Sequence, residues 1–143
     1  MLINKILIII QRSNGDVFLS MPLIQELKES FNPQRIDLLV NDDTLAVAKT
    51  LPNIDNIHVF SYKKKNKKRW SQEKNIIKNI YKKYDLSINL TASDRSVIYA
   101  LLASKNAISA IEKNFKKSWW KKLLLKGTYS FDYSRHILLN NLE

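Results

Sequence analysis

The chain has 143 residues, of which 45% are apolar and 10% aromatic, and its formal net charge is +11 at pH 7. This length and composition suffice for one domain with a moderate core and exclude a disordered chain. The lack of cysteine excludes disulfides and cysteine-ligated metals, and the apolar run Ile6–Ile10 is too short for a signal peptide or a membrane span. We therefore expect a soluble, cytoplasmic protein.

Strand and helix patterns alternate along the chain. The first half predicts a strand over Lys5–Ile10, a helix over Val17–Phe31, a strand over Arg35–Val40, a helix from Asp42 or Asp43 to about Leu51, and a strand over Ile57–Phe60. The second half predicts a loop over Lys63–Arg69, a helix through Ile76 and Ile80, a strand over Asp85–Leu90, a helix capped by Ser93 or Asp94, and a strand over Ala107–Ile111. Pro22 fits the first helix only if it lies in the opening turns, and a last helical turn is expected from about Ser134.

Strands separated by helices predict an α/β fold with a Rossmann-like parallel sheet flanked by helices, in the strand order 3-2-1-4-5. In such sheets ligands bind outside the carboxyl ends of the strands, beside strand one. Gly15 and Asp16 follow strand one, and residues 91–95 follow strand four. These two loops are therefore the candidate binding region.

The usual phosphate loops and metal sites find no support in the sequence. Gly15 and Gly127 are the two glycines, so neither a G-x-G-x-x-G fingerprint nor a Walker loop is possible. His58 and His136 are isolated, and no cysteine or carboxylate cluster accompanies them. We expect no metal and no bound cofactor.

The positive charge is concentrated in two segments. Residues 63–83 hold ten of the 24 basic residues and one acid, and residues 113–126 hold six lysines and no acid. A solvated lysine face is the simplest interpretation of such runs. The functional alternative is an anionic partner such as phosphate, nucleic acid or a membrane surface.

Several blocks resemble the N-terminal half of glycosyltransferase family 9, the ADP-heptose:lipopolysaccharide heptosyltransferases. The most specific block is S-x-G-D-V followed by P-L-I-x-x-L-K, from Ser13 to Lys28. "LPNIDNI" and "YDLSINLTASDRS" follow in the family's order, and a closing "RHILLNNL" extends the resemblance over nearly the whole chain. The order of the blocks carries more weight than any one of them.

The resemblance implies one half of a GT-B enzyme that transfers a sugar with inversion and without a metal. This half would be the acceptor-binding domain, and ADP-heptose would be a substrate rather than a cofactor. Asp16 matches the family's general base, and a carboxylate suits that role because the attacking acceptor hydroxyl must lose its proton. The expected function is transfer of heptose or a similar sugar to a lipopolysaccharide-core-type acceptor.

Other residues would border the same cleft and contact the acceptor: Arg12, Ser13, Asn14, Gly15 and Arg95. Alternatives stay open for two of the candidates. Asp16 stands where an acidic residue commonly caps a helix, and Arg95 can form a surface ion pair with a nearby acid.

The sequence departs from the family pattern in two ways. Asn89–Ala92 stands where the family usually has Asp-Leu-Gln-Gly, and Ile10 replaces a basic residue, with Arg12 two positions later as a possible substitute. Family members are also about twice as long. We therefore expect residues 1–143 to form a single acceptor-side domain without its donor-binding domain, and we expect it to be inactive alone. It would be a fragment, one half of a split enzyme with a separate donor-binding chain, or a remnant.

The segment "KNFKKSWWKKLLLKG" combines lysines with tryptophan and leucine, a composition typical of segments that lie on anionic membranes. Docking on the cytoplasmic face of the inner membrane would suit the family's acceptors. The expected membrane or anion contacts are Lys116, Lys117, Trp119, Trp120, Lys121 and Lys122. Packing of the same side chains against the domain is the alternative, and two other functions stay open: a basic nucleic-acid-binding module and a catalytically dead, membrane-associated remnant.

Overall fold

The central strand, β1, spans Lys5–Ile10, and its last five side chains are at most 1% exposed. Isoleucine fills most of these positions, and β-branched side chains favour extended backbone packed on both faces. Successive side chains point to opposite sides of the sheet: Ile6, Ile8 and Ile10 enter one layer of the core, and Leu7 and Ile9 enter the other. The computed structural model describes residues 2–61, 69–111, 120–121 and 123–130.

The described residues form a six-stranded sheet with helices on both faces. The other strands are β2 (Arg35–Asn41), β3 (Asn56–Phe60), β4 (Leu86–Asn89), β5 (Ala107–Ile111) and β6 (Gly127–Ser130). The helices are α1 (Asn14–Phe18), α2 (Met21–Phe31), α3 (Leu45–Ala48), α4 (Arg69–Ile80) and α5 (Asp94–Ala103). The strand order is β3-β2-β1-β4-β5-β6, and every neighbouring pair runs parallel.

The helices divide between the two faces of the sheet. Side chains from α1, α2 and α3 pack with one set of strand residues, and those from α4 and α5 pack with the other set. Because β1 lies at the centre of the order and its neighbours β2 and β4 run parallel to it, the loops that follow these three strands meet at one edge of the sheet. We call this the carboxyl edge, and the opposite one the amino edge.

The predicted α/β class and the order 3-2-1-4-5 are confirmed, and β1 and β5 have the predicted bounds. The prediction of one helix over Val17–Phe31 is wrong, because the chain breaks between α1 and α2. Pro22 lies at the start of α2, as the sequence required. In one continuous helix its ring would clash with the carbonyl of Phe18 and leave that carbonyl unbonded, so the helix ends and restarts.

Two further differences concern short elements. The helix expected from Asp42 to Leu51 is a 3-10 turn over Asp42–Thr44 followed by the short α3. The sequence did not predict β6, which extends the sheet beyond β5. The expected loop over Lys63–Arg69 lies almost wholly outside the described residues, and the turn expected from Ser134 lies entirely outside them.

Candidate functional site

The chain leaves β1 and turns directly into α1 at the carboxyl edge. Ser13 is the N-cap, with extended backbone (φ −68°, ψ 167°), and its Oγ accepts a hydrogen bond from the Asp16 backbone N–H at 3.4 Å. In return, Oδ2 of Asp16 accepts from the Ser13 backbone N–H at 3.2 Å and from the Ser13 hydroxyl at 2.8 Å. This reciprocal pair is a capping box, so the helix-capping interpretation of Asp16 is confirmed.

Capping leaves part of the Asp16 carboxylate available. Arg12 Nε donates to Oδ2 at 3.0 Å, so every hydrogen bond to this side chain from the described residues ends on the same oxygen. Oδ1 accepts none from the described part of the chain, and the side chain is 16% exposed. A carboxylate held by one oxygen, with the other open, can accept a proton from a bound molecule in a fixed orientation.

Gly15 lies beside this carboxylate without any steric demand for glycine. Its φ is not positive, and a Cβ built on it would meet nothing closer than Ser13 Oγ at 4.0 Å. The backbone and packing of the described residues therefore leave open space at the corner. A molecule approaching Asp16 would find room there.

The loop after β1 is tied to the strands on either side. Gln11 N–H donates to Thr91 Oγ1 at 2.9 Å, and its side-chain amide reaches Asn41 Oδ1 at 3.4 Å. Thr91 N–H in turn donates to Asn89 Oδ1 at 3.0 Å. Sequence reasoning did not assign this positioning role to Gln11, Asn41 or Thr91, although polar residues at the ends of parallel strands are the signal that points to them.

Asn89 anchors the loop after β4. Its buried amide donates to Ser96 Oγ and Ser109 Oγ, both at 2.9 Å, and so joins the end of β4 to α5 and β5. Ser93 caps α5 by accepting from Ser96 N–H at 3.3 Å, as predicted. The departure from the family pattern at Asn89 is therefore compatible with a firmly held loop.

Arg95 lies on the first turn of α5, and the described residues that its guanidinium contacts do not belong to the Asp16 corner. Its Nε is 3.4 Å from Glu73 Oε1, and its guanidinium carbon lies 4.6 Å from the centre of the Phe60 ring. The side chain is 23% exposed. The ion-pair interpretation is therefore confirmed, and an acceptor contact by Arg95 stays a prediction.

The basic C-terminal segment is partly built into the domain. Lys121 is 2% exposed, and its Nζ lies 2.8 Å from Asp94 Oδ1 and 3.1 Å from the Ala92 carbonyl oxygen. The expected contact of Lys121 with a membrane or an anion is thus wrong, because its ammonium is buried and its donors serve the loop after β4. Trp120 is partly buried against the α4–α5 layer. Four further expected contacts lie outside the described residues: Lys116, Lys117, Trp119 and Lys122.

The described residues contain no group of three or more histidine, aspartate or glutamate side chains arranged to hold a metal ion. Within the same ranges, no helix has both the length and the apolar character needed to cross a bilayer.

The chain is similar in sequence to lipopolysaccharide heptosyltransferases. No family model matches it. Two curated relatives, both named lipopolysaccharide heptosyltransferase 3, come from Escherichia coli and its strain K12; they are 32% identical over 120 residues and 30% identical over 118 residues. Each match covers 78% of this chain but 34% and 33% of the relatives, so the chain spans about a third of their length.

Solved structures share the fold. A glycosyl transferase family 9 protein from Veillonella parvula superposes with a TM-score of 0.74 at 21% identity, over 99% of this chain and 41% of that one. The Escherichia coli heptosyltransferase WaaC, solved with ADP-2-deoxy-2-fluoro heptose, gives 0.72 at 14% identity, over 96% of this chain and 45% of its own. Together with the sequence matches, these structures confirm the expected resemblance to glycosyltransferase family 9.

Proposed function

We propose, on the premise of this relationship to glycosyltransferase family 9, that the chain is the N-terminal, acceptor-binding domain of an inverting, metal-independent glycosyltransferase. Its acceptor is a lipopolysaccharide-core-type saccharide, and the sugar transferred is heptose or a similar one. The observation that carries the proposal is the Asp16 carboxylate, fixed through Oδ2 and open at Oδ1 beside the central strand. The names of the curated relatives support the substrate class.

Asp16 acts as the general base. Its Oδ1 takes the proton of the acceptor hydroxyl while that oxygen forms a bond to the anomeric carbon of the donor. The bond from the anomeric carbon to the nucleoside diphosphate breaks on the opposite face, and the diphosphate leaves with the bonding electrons, which inverts the configuration. Arg12 and Ser13 hold the carboxylate in place by their hydrogen bonds to Oδ2.

The nucleotide-sugar belongs to a second domain in this proposal. The chain spans about a third of its curated relatives, and WaaC, a neighbour in fold, binds an ADP-heptose analogue. We propose ADP-heptose as the donor, held by a domain outside residues 1–143 or by a separate chain. Without that domain transfer does not occur, because catalysis requires both substrates in one cleft.

Binding and transfer assays separate this function from its alternatives. The chain of 143 residues should bind heptose-deficient lipopolysaccharide core saturably and transfer nothing from ADP-heptose. Supplied with a donor-binding domain, in one polypeptide or as a partner, it should transfer the sugar. Tighter binding of single-stranded oligonucleotides than of core saccharide, with a steep salt dependence, would favour the nucleic-acid module instead.

We also propose that the C-terminal segment docks on an anionic membrane. Leu123 and Leu124 are 75% and 63% exposed, and the exposed Lys126 follows them. Apolar side chains beside lysines favour the interface of anionic bilayers. Leu123→Ser with Leu124→Ser should reduce the affinity for phosphatidylglycerol vesicles, measured by co-sedimentation, at least about tenfold, since both leucines lose the burial of their side chains. Unchanged binding would contradict the docking proposal.

A further inference from the structure

A large groove lies between α4 and β3, the strand at one end of the sheet. Its volume is about 1290 Å³. Four basic residues line it at the amino edge: Lys5, Arg35, Lys82 and Lys83. The first two begin β1 and β2, and the lysine pair precedes β4. Since β1 has six residues, roughly 17 Å of strand separates this cationic end from the corner at Asp16.

The lysine charges of the groove lining are not paired within the described residues. None of the described residues that line it is Asp or Glu. The ammonium groups of Lys5, Lys82 and Lys83 form no ion pair with any residue in the described ranges. Cations gathered in one concavity repel each other and create a local positive potential, which attracts small anions.

The acid beneath the groove is already neutralised. Asp37 is fully buried, and Arg35 Nε donates to both of its oxygens, at 2.9 Å to Oδ1 and 2.8 Å to Oδ2. The terminal nitrogens of Arg35 take no part in this ion pair and donate no hydrogen bond within the described part of the chain. The side chain is 44% exposed. The two terminal nitrogens of the guanidinium are therefore open to a ligand.

His58 and Tyr84 complete the wall. Tyr84 Oη donates to Asp37 Oδ2 at 2.6 Å, so its only proton is used there. His58 Nε2, 2.9 Å from the same Oη, must then be the donor, which leaves Nδ1 as the unprotonated nitrogen. Burial lowers the pKa of His58, although Asp37 acts in the opposite direction. Burial, together with the hydrogen bond to Asp37, raises the pKa of Tyr84 well above its ordinary value.

We propose that this groove binds a phosphate monoester, with the open nitrogens of Arg35 and the ammonium groups of Lys82 and Lys83 around the phosphate. A guanidinium fork matches two phosphate oxygens, and lysines add charge without strict geometry. Asn56, Asn75 and Asn79 line the same groove and offer amide groups to the remainder of the ligand. Sugar transfer at Asp16 uses none of these residues, so the site is additional to the proposed function.

A phosphate monoester can come from a soluble metabolite or from a lipid headgroup. Glycerol 3-phosphate in solution and phosphatidic acid in vesicles carry the same group and probe the two sources. Binding to the chain is measured by titration calorimetry for the soluble probe and by co-sedimentation for the vesicles. The imidazole signals of His58, followed by NMR, show whether the soluble probe enters this groove.

The decisive variant is Lys82→Gln with Lys83→Gln. Arg35 is left unchanged because its removal would leave the buried Asp37 without a cation. The matched control is Lys74→Gln with Lys78→Gln, which removes the same charge from exposed positions of α4 that do not line the groove. We expect saturable binding of at least one probe, weakened about tenfold by the first pair of changes and less than about twofold by the control.

Each result decides the proposal. Saturable binding of glycerol 3-phosphate with shifts of the His58 signals indicates a soluble ligand, and binding of phosphatidic acid vesicles alone, lost in the Lys82 and Lys83 variant, indicates a lipid headgroup. Equal weakening by both double variants would mean that only net charge matters and would overturn the site. Failure of both probes to bind saturably would overturn it as well.

Discussion

The two edges of the sheet each carry an arginine–aspartate pair, and the pairs differ in what they leave open. At the amino edge, Arg35 bonds both oxygens of Asp37, which is fully buried and also bonded by Tyr84. At the carboxyl edge, Arg12 bonds one oxygen of Asp16, which is partly exposed. A buried carboxylate with both oxygens hydrogen-bonded stabilises the fold, whereas one with an open oxygen can also accept a proton from a substrate.

The largest effect on stability is expected at the amino edge. Asp37→Asn keeps the shape of the side chain but leaves Arg35 without its counter-ion and removes a charged acceptor from Tyr84. We expect the free energy of unfolding to fall by about 2 kcal/mol, measured by urea denaturation, because the buried side chain loses the charge that accepts from Arg35 and Tyr84, while water can solvate the half-exposed Arg35. The control Asp43→Asn, on an exposed turn residue, should change it by less than about 0.5 kcal/mol. Similar values for both variants would show that the buried Asp37 carboxylate has no special role in stability.

A smaller effect, on binding, is expected at the carboxyl edge. Gly15→Ala adds a methyl group where the described residues leave space, and alanine favours a helix over glycine by about 0.5 to 1 kcal/mol. Stability should therefore be unchanged or slightly higher. If an acceptor occupies the space beside Asp16, its affinity should fall about tenfold, as seen in a titration with core saccharide. An unchanged affinity would place the acceptor elsewhere.

The smallest expected effect is on the pH dependence of the free energy of unfolding, through His58 at the amino edge. The pKa of His58 is lowered in the folded protein, so on acidification the unfolded chain takes up a proton first. This contribution to stability is present above the ordinary histidine pKa of about 6.5 and is lost as pH falls towards the folded-state value. Between pH 7 and pH 5.5 the free energy of unfolding should therefore fall less in His58→Gln than in the parent chain. An equal slope in the two proteins would mean that His58 is not the titrating group.

Local pattern was sufficient for five of the six strands that the structure describes. The continuous apolar run of β1 predicted a strand buried on both faces, and the alternation of strands and helices predicted a parallel sheet, for which the order 3-2-1-4-5 was expected. The break between α1 and α2 is caused by Pro22 and was not predicted. Proline is tolerated only in the first turn of a helix, and the sequence alone did not show where the helix that contains Pro22 starts. β6 was not predicted, because it follows a lysine-rich segment in which apolar and polar residues do not alternate as they do in a strand.

Long-range contacts explain what the sequence did not predict. Asp37 in "RIDLLV" is a charged residue inside a buried strand, and this alone indicates a partner, but Tyr84 lies 47 residues away along the chain. Lys121 was expected at a surface, and its buried contact with Asp94 depends on how the C-terminal segment packs. The helix-capping alternative for Asp16 could be read from the sequence because its partners, Arg12 and Ser13, lie four and three residues before it. Its role as general base stays a prediction.

The most direct test of the account is turnover by Asp16→Asn in a transfer-competent protein that contains this chain and a donor-binding domain. We expect kcat to fall at least about a hundredfold, because the amide cannot take the hydroxyl proton, while affinity for the acceptor and the unfolding midpoint stay near those of the Asp43→Asn control. Full turnover in Asp16→Asn would show that the carboxylate is only a helix cap and that the base lies elsewhere.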